Sequence, residues 1–272
     1  LALLLLTACG ADRNMKRGEK YLALGEYFDA ANEFKQAYQK TAPKDRDKRG
    51  RIAGKMAYSY DKSLQTSKAI AAYRNMMRYD AAGATDQLAL ARQLMKNGSY
   101  KEAAEMFRAA LDSLPGNATA QSGLQAALTA PQIREAGSRY TVKKMDIFNS
   151  RRAEYSPMLF GDNYDQLYFS STRNEAQGNE LSGITGTKPA DIFVSEKDDK
   201  GKWSKPEAVT GGLNSDFDEG ACCFSADGRE MYLTQCVTDP SYPRYAQLVV
   251  SNRSDAAWGK PTEVKLTGDT LS

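Results

Sequence analysis

Between residues 14 and 130 small and large apolar side chains recur at helical spacing: Ala30, Phe34 and Ala37 fall at i, i+4 and i+7, and Ala103, Phe107 and Ala110 repeat the step. Three segments align on this pattern. The first carries Gly18, Tyr21, Gly25, Tyr27, Ala30, Phe34 and Ala37; the second Ala57, Tyr60, Ala69, Tyr73 and Met76; the third Ala91, Leu94, Gly98, Tyr100, Ala103, Phe107, Ala110 and Pro115. Ala69 and Ala103 are 34 residues apart, Ala30 and Ala69 are 39 apart, and the extra five are placed in a loop over Lys44 to Arg49. Each segment predicts two antiparallel helices whose apolar face is sheltered only when the pairs stack. A last helix from about Ala118 to Leu128, after Pro115-Gly116-Asn117, is expected to cap the stack.

After Ala130-Pro131 helical spacing stops, and short β-rich runs alternate with Gly, Asp, Asn and Pro clusters. This stretch also repeats. The run from Glu154 to Asn163 parallels Glu219 to Gly228 at a constant shift of 65. Leu167-Tyr168-Phe169-Ser170 parallels Met231-Tyr232-Leu233-Thr234, Asp191 to Ser195 parallels Gln247 to Ser251, and Trp203 with Lys205-Pro206 parallels Trp258 with Lys260-Pro261. Each unit reads as strand, Asp-Asn or Asp-Gly turn, strand, variable loop, strand, and a final strand after the Trp, the pattern of one β-propeller blade. Two blades cannot close a ring, so the chain is expected to be the front part of a longer protein.

The 272 residues carry 37 Lys+Arg and 34 Asp+Glu, but the charge is divided: residues 1–130 hold 20 basic and 13 acidic side chains (+7), and 131–272 hold 17 and 21 (−4). With no histidine in the sequence, a Ser-His-Asp triad, a Cys-His dyad and a His-ligated zinc or haem are excluded within this chain. The acidic run Asn214 to Glu219 offers oxygen ligands but fails the EF-hand spacing, and is expected to be a solvated blade-connecting loop. The Gly-rich stretch Gly178 to Lys188 lacks the Gly-Lys-Ser/Thr of a phosphate loop and is expected to be a long flexible connection. A hairpin turning at Asp227-Gly228 sets Cys222 opposite Leu233 and Cys236 opposite Glu219, so buried thiols are expected more often than a bridge among Cys222, Cys223 and Cys236. Trp203, Trp258, Tyr168 and Tyr232 recur at matched positions, which marks them as packing residues.

Leu1 to Leu6 is an apolar run too short to span a bilayer, and it leads into Thr7-Ala8-Cys9-Gly10. That string resembles the bacterial lipobox. The resemblance implies a signal-peptide remnant over 1–8, a diacylglyceryl group on Cys9, and a periplasm-facing protein tied to the outer membrane. The strings LGEYFDAANEFKQA and NGSYKEAAEMFRAALDSLP resemble tetratricopeptide repeats, with Gly25, Ala30, Phe34, Ala37, Ala69, Tyr73, Gly98, Ala103, Phe107 and Ala110 as repeat-packing residues. In such repeats a concave groove holds a peptide or helix, and polar residues of the first helix of each pair (Asn14, Arg17, Lys55 and Arg92) are the expected contacts. The basic run Lys44 to Arg51 is expected to be a solvated loop. The string FSADGREMYLTQ resembles the hairpin of TolB-type, WD-like propeller repeats.

The expected fold is multidomain, α then β: a lipidated terminus over 9–13, a tetratricopeptide α-solenoid over 14–130, a linker over 131–150, and an incomplete two-blade β-propeller over 151–272. This order resembles the PorE-like outer-membrane lipoproteins of the type IX secretion and gliding apparatus, whose further OmpA-like domain binds peptidoglycan. The resemblance implies a scaffold rather than an enzyme. Its partners are expected to be the membrane through Cys9, other secretion-machinery or envelope proteins, and peptidoglycan only through a further domain; no catalytic residues, metal, cofactor or nucleic acid are expected. Two alternatives stay open: a propeller-gated serine peptidase whose catalytic domain lies elsewhere, and an outer-membrane protein assembly factor.

Overall fold

The computed structural model describes residues 2–237, 245–255 and 257–266; the side chains of residues 1–9 and of Val237 are outside the described set. The chain divides into two units, residues 1–141 with 183–186, and residues 142–182 with 187–272.

Among the described residues, seven helices build the first unit: α1 (Ala2–Ala23), α2 (Tyr27–Lys40), α3 (Arg46–Lys62), α4 (Thr66–Arg78), α5 (Ala84–Lys96), α6 (Tyr100–Ser113) and α7 (Ala118–Ala136). They pack as α1/α2, α3/α4 and α5/α6, with α7 against α6. Ala30, Ala69 and Ala103 are buried at matched points of α2, α4 and α6, and Phe34, Tyr73 and Phe107 are buried one turn on. A Cβ on Gly18 would stand 2.6 Å from the Phe34 ring and one on Gly123 2.4 Å from the Phe107 ring, so these helices approach too closely for any side chain. The turns inside the three pairs share one feature: Gly25 (φ 77°), Leu64 (φ 60°) and Gly98 (φ 76°) each stand five residues before the buried alanine, in the left-handed region. The middle repeat places a leucine where its neighbours have glycine.

The helical unit departs from the sequence reading at three points. First, α3 begins at Arg46, so the basic run taken as a loop to Arg49 is mostly helix; Asp45 caps it by accepting from the Lys48 N–H at 3.3 Å. Gly50 sits inside α3 because a Cβ there would meet the Ala81 Cβ at 2.6 Å. Second, the last helix passes Leu128 and Pro131 and stops only at Gly137 (φ 71°), so residues 131–136 of the expected linker are helix. Proline cost it a hydrogen bond, but Gln132 to Ala136 are competent helix formers, and the glycine supplies the stop. Third, α1 runs through residues 9–13, where Ala11 is buried and Asp12 bonds to α3.

The described residues of the second unit form two antiparallel sheets. The first is a meander of β1 (Glu154–Phe160), β2 (Gln166–Ser171), β3 (Asp191–Glu196) and β4 (Glu207–Ala208). The second takes β5 (Glu219–Phe224), β6 (Glu230–Val237), β7 (Tyr245–Ser254) and β8 (Ala257–Trp258) in order, with β9 (Thr262–Glu263) also on β7. Their hydrogen bonding repeats as their sequence does. A register shift lies between Tyr155 and Met158 in β1 and between Gly220 and Cys223 in β5. The Ser195 hydroxyl donates to the Ser204 carbonyl at 2.7 Å, and Ser251 donates to the Gly259 carbonyl at 2.6 Å. Phe193 pairs with Ala208 as Val249 pairs with Glu263. One hydrophobic cluster joins Tyr168, Ile192 and Val209 to Cys222, Leu233, Val249 and Trp258. A second, on Phe169 and Phe193, is covered by Phe148, whose ring meets Trp203 edge-on at 5.3 Å.

The bulge also corrects the expected hairpin register. Phe224 faces Met231 and Cys223 faces Tyr232, but beyond the shift Glu219 faces Gln235, and the Cys236 N–H reaches the Asp218 carbonyl instead of lying opposite Glu219.

Candidate functional site

Ion pairs order the helical unit into two surfaces. Asp12 of α1 meets Lys48 of α3 at 2.6 Å, Glu19 meets Lys55 at 2.9 Å, and Asp61 of α3 meets Lys96 of α5 at 3.6 Å. The Gln93 amide adds a bond to Asp61 at 2.5 Å. These links set the first helices α1, α3 and α5 side by side. On the second helices, Arg74 of α4 grips Glu102 of α6 with contacts at 2.6 and 2.8 Å. The first-helix surface is the candidate binding surface, since Asp12, Glu19 and Asp61 there are held in ion pairs while several bases are not. Asp86 likewise is engaged, accepting from the Gly83 N–H at the start of α5. Arg13, Lys16, Lys20, Arg51 and Arg92 are exposed and make no ion pair among the described residues.

The four expected contacts fall in different settings. Asn14 is buried, donates to Glu33 and to Gln36, and accepts from Lys40 at 2.7 Å, so it ties α1 to α2. Arg17 is half-exposed and pairs with the buried Glu33 at 2.7 Å. Lys55 holds Glu19 and lies 5.9 Å from the Phe34 ring centre. Arg92 is exposed and lines a shallow cleft with Met95, Lys96, Phe107 and Ser122. Where the second pair joins the first, Arg49 stacks on the Tyr38 ring at 4.0 Å, donates to the Tyr79 hydroxyl at 3.0 Å and to the Thr41 carbonyl at 2.8 Å. The Tyr38 and Tyr79 hydroxyls are 3.2 Å apart; the bond from Tyr38, then Arg49, lowers the Tyr79 pKa, and burial raises that of Tyr38.

In the sheet unit the acidic run read as a solvated loop is built inward. Asn214 is buried and brackets β3, accepting from the Ile192 N–H at 2.8 Å and donating to the Ile192 carbonyl at 3.1 Å. Glu219 is fully buried and accepts from the Ser215 N–H at 3.0 Å, the Ser215 hydroxyl at 2.5 Å and Gln235 at 2.8 Å. Burial pushes its carboxyl up to about 7, and that of Asp191, which accepts from the Gln177 N–H, up to about 6. Ser150 holds Glu154 in the same way, at 3.0 and 2.6 Å, but there Arg173 adds an ion pair at 3.4 Å. Burial raises the Glu154 pKa less than its bonds to Ser150 and Ser171 and the Arg173 charge lower it. The signal was present in the sequence: Asn149-Ser150 and Asn214-Ser215 stand five and four residues before the aligned glutamates.

Cys222 is buried, Cys223 exposed and Cys236 half-buried, none in a disulfide; burial pushes the Cys222 thiol up to about 12. Cys9 lies outside the residues whose side chains are described. Among the described residues no cluster of three acidic or cysteine side chains could hold a metal ion, and no helix is long and apolar enough to cross a membrane.

No known family and no curated protein matches the chain. Solved structures similar to it include the Arabidopsis OM64 TPR domain, at 18% identity and a TM-score of 0.38 over 44% of this chain and 96% of that one. The Sgt2 TPR domain of Aspergillus fumigatus aligns at 19% identity and a TM-score of 0.38, over 50% and 88%. The second TPR domain of human RPAP3, solved with an HSP70 peptide, aligns at 17% identity and a TM-score of 0.38, over 46% and 98%. By its own geometry the first unit is a stack of tetratricopeptide-like helical repeats, followed by antiparallel sheets.

Proposed function

We propose that this chain is a non-enzymatic scaffold, tied through a lipidated Cys9 to the periplasmic side of the outer membrane, where it anchors type IX secretion machinery to the cell envelope. Its first-helix surface holds partner proteins. Its two sheets are blades of a TolB-type propeller that offers a second face, and peptidoglycan is reached only through a further domain. The observation that carries the scaffold reading is the surface itself: three first helices locked side by side by Asp12–Lys48, Glu19–Lys55 and Asp61–Lys96, with Arg13, Arg51 and Arg92 exposed and in no ion pair among the described residues. The order of motifs around LTACG and the repeated blade hairpins supports the envelope setting.

Two measurements test it. Mass spectrometry of the membrane-extracted protein is expected to find the mature chain starting at an acylated Cys9, and Cys9→Ser is expected to release it to the soluble fraction. Cross-linking in intact cells is expected to join it to envelope proteins. An unmodified Cys9 in soluble protein refutes the anchor, and the absence of any cross-linked partner refutes the scaffold.

A further inference from the structure

The two sheets hold corresponding cations in different settings. Asp191 to Ser195 aligns with Gln247 to Ser251, so Lys197, next after β3, corresponds to Arg253 of β7, and Trp203 to Trp258. The match extends to the backbone: the Lys197 N–H donates to the Asp165 carbonyl and the Arg253 N–H to the Arg229 carbonyl, each at 2.8 Å. Lys197 lies 4.8 Å from the Trp203 ring centre and donates to the Tyr164 carbonyl at 3.3 Å. Arg253 lies 5.6 Å from the Trp258 ring centre and 5.3 Å from that of Phe160, but it lacks such an acceptor. Among the described residues its side chain makes no ion pair or hydrogen bond, and its Nε is buried without a partner, a costly state for a charged donor. Arg253 lines a cleft of about 330 Å³ between the hairpin turns of the two sheets, within the size of small ligand sites, about 300–1,000 Å³. Met158, Phe160 and Phe224 give the cleft an apolar wall, and Asp162 and Asp227 stand on its two turns. Asp227 is engaged, accepting from the Ser225 hydroxyl at 2.6 Å and the Arg229 N–H at 3.1 Å, while Asp162 is exposed and in no ion pair among the described residues.

We propose that this cleft binds a single carboxylate carried on an apolar body, with Arg253 holding the carboxylate and Phe160 and Phe224 covering the body. Two carriers offer that chemistry: the carboxyl terminus of a chain that ends in an apolar residue, and a free organic acid. A guanidinium presents paired N–H donors that match the two oxygens of a carboxylate. The acids on the turns decide against a phosphate or a run of carboxylates, because Asp162 and Asp227 tolerate one negative charge neutralised by Arg253 and repel any further charge. The proposal goes beyond the scaffold reading, since it gives the sheet unit a ligand of its own.

The test is calorimetric titration of the full chain with N-acetylphenylalanine and with a short alanine peptide ending in phenylalanine, each as the free carboxylate and as the amide, and with inorganic phosphate. The free carboxylates are expected to bind on the order of tenfold tighter than their amides, and the carrier that binds tighter identifies the source. Arg253→Gln is expected to abolish that preference, while Lys197→Gln, the corresponding change in the first sheet, leaves affinity within about twofold. Arg253 packs on two rings, so its loss can also loosen the fold; Asp162→Asn, an exposed change, avoids this. With one repelling charge gone, it is expected to tighten carboxylate binding about twofold or more. Amides that bind as tightly as the acids, binding of phosphate alone, no binding by the wild type, or an unchanged affinity in Arg253→Gln or Asp162→Asn overturns the proposal. That outcome would leave the lipid anchor and the cross-linked partners standing, whereas failure of cross-linking in cells would remove the scaffold and leave the cleft.

Discussion

The indole N–H of Trp258 donates to the hydroxyl of Tyr168 at 3.2 Å, across 90 residues of sequence and from the second sheet to the first. Both residues are nearly fully buried, and the rings of Phe160 and Phe224 close around them, 4.3 Å apart. The bond makes the two sheets one packed body, because a buried indole N–H without an acceptor costs more than the bond contributes.

Tyr168→Phe removes that acceptor together with the bond its hydroxyl donates to the Gln166 side chain at 3.3 Å. It is expected to destabilise the sheet unit by about 1–3 kcal/mol, and Trp258→Ala, which also leaves a cavity, by about 3–5 kcal/mol. Urea unfolding followed by tryptophan fluorescence reads this unit directly, since both tryptophans of the chain lie in it. An unchanged midpoint for Tyr168→Phe would show that the bond contributes nothing.

Leu64 occupies with φ 60° the turn position that Gly25 and Gly98 fill in the other two pairs, and its side chain is 75% exposed. Leu64→Gly therefore relieves strain and sacrifices almost no packing. It is expected to raise the stability of the helical unit by about 0.5–1 kcal/mol, and Gly98→Leu to lower it by about 1 kcal/mol. Thermal unfolding monitored by far-ultraviolet circular dichroism at the helix signal decides the sign.

Glu219 and Glu154 occupy the same place in the two sheets but titrate in opposite senses. The folded pKa of Glu219 is raised to about 7, and that of the neighbouring Asp191 to about 6, above their unfolded values, so the folded chain holds these protons longer. Their contribution is present at lower pH and is lost as pH rises through about 6 to 7, a decline of about 1–3 kcal/mol. Glu154, whose folded pKa is lowered, contributes stability at neutral pH that is lost as pH falls through its folded value. Denaturation midpoints of the sheet unit from about pH 5 to 8 are expected to fall with pH in the wild type and to flatten in Glu219→Gln. A slope that persists unchanged in that variant contradicts the assignment.

Arg49 reaches from α3 to Tyr38, Thr41 and Tyr79, so it fastens two helix pairs at one point. A lysine keeps the charge but has neither the flat stacking surface nor the forked donors. Arg49→Lys is expected to cost about 1–2 kcal/mol in thermal or urea unfolding of the helical unit. A loss no greater than that of an exposed change such as Lys101→Gln would refute this role.

The phase of both repeats was legible in the sequence, because a close helix crossing admits only glycine or alanine and a hairpin repeats its turn residues. What escaped were features whose cause lies elsewhere in the chain. The start of α3 was hidden by Gly50, which reads as a loop residue until Ala81 is seen beside it. Helix α7 continues through Pro131 because local formers outweigh one lost bond. The burial of Glu219 is not visible in the acidic run itself, where polar spacing gives no sign of the strand β3 that Asn214 brackets; only the Asn-Ser pair repeated before Glu154 and Glu219 marks it. The Leu64 turn weakened the middle repeat by replacing the glycine that marks the other two.

Photo-cross-linking from position 16 in intact cells tests the scaffold account most directly. With the photoreactive residue in place of Lys16 on α1, the account predicts discrete adducts with other envelope proteins, reduced when Arg51→Glu is added. With the same residue in place of Lys101 on α6, those adducts are expected to be absent. No adduct from position 16, or the same adducts from both positions, would contradict it.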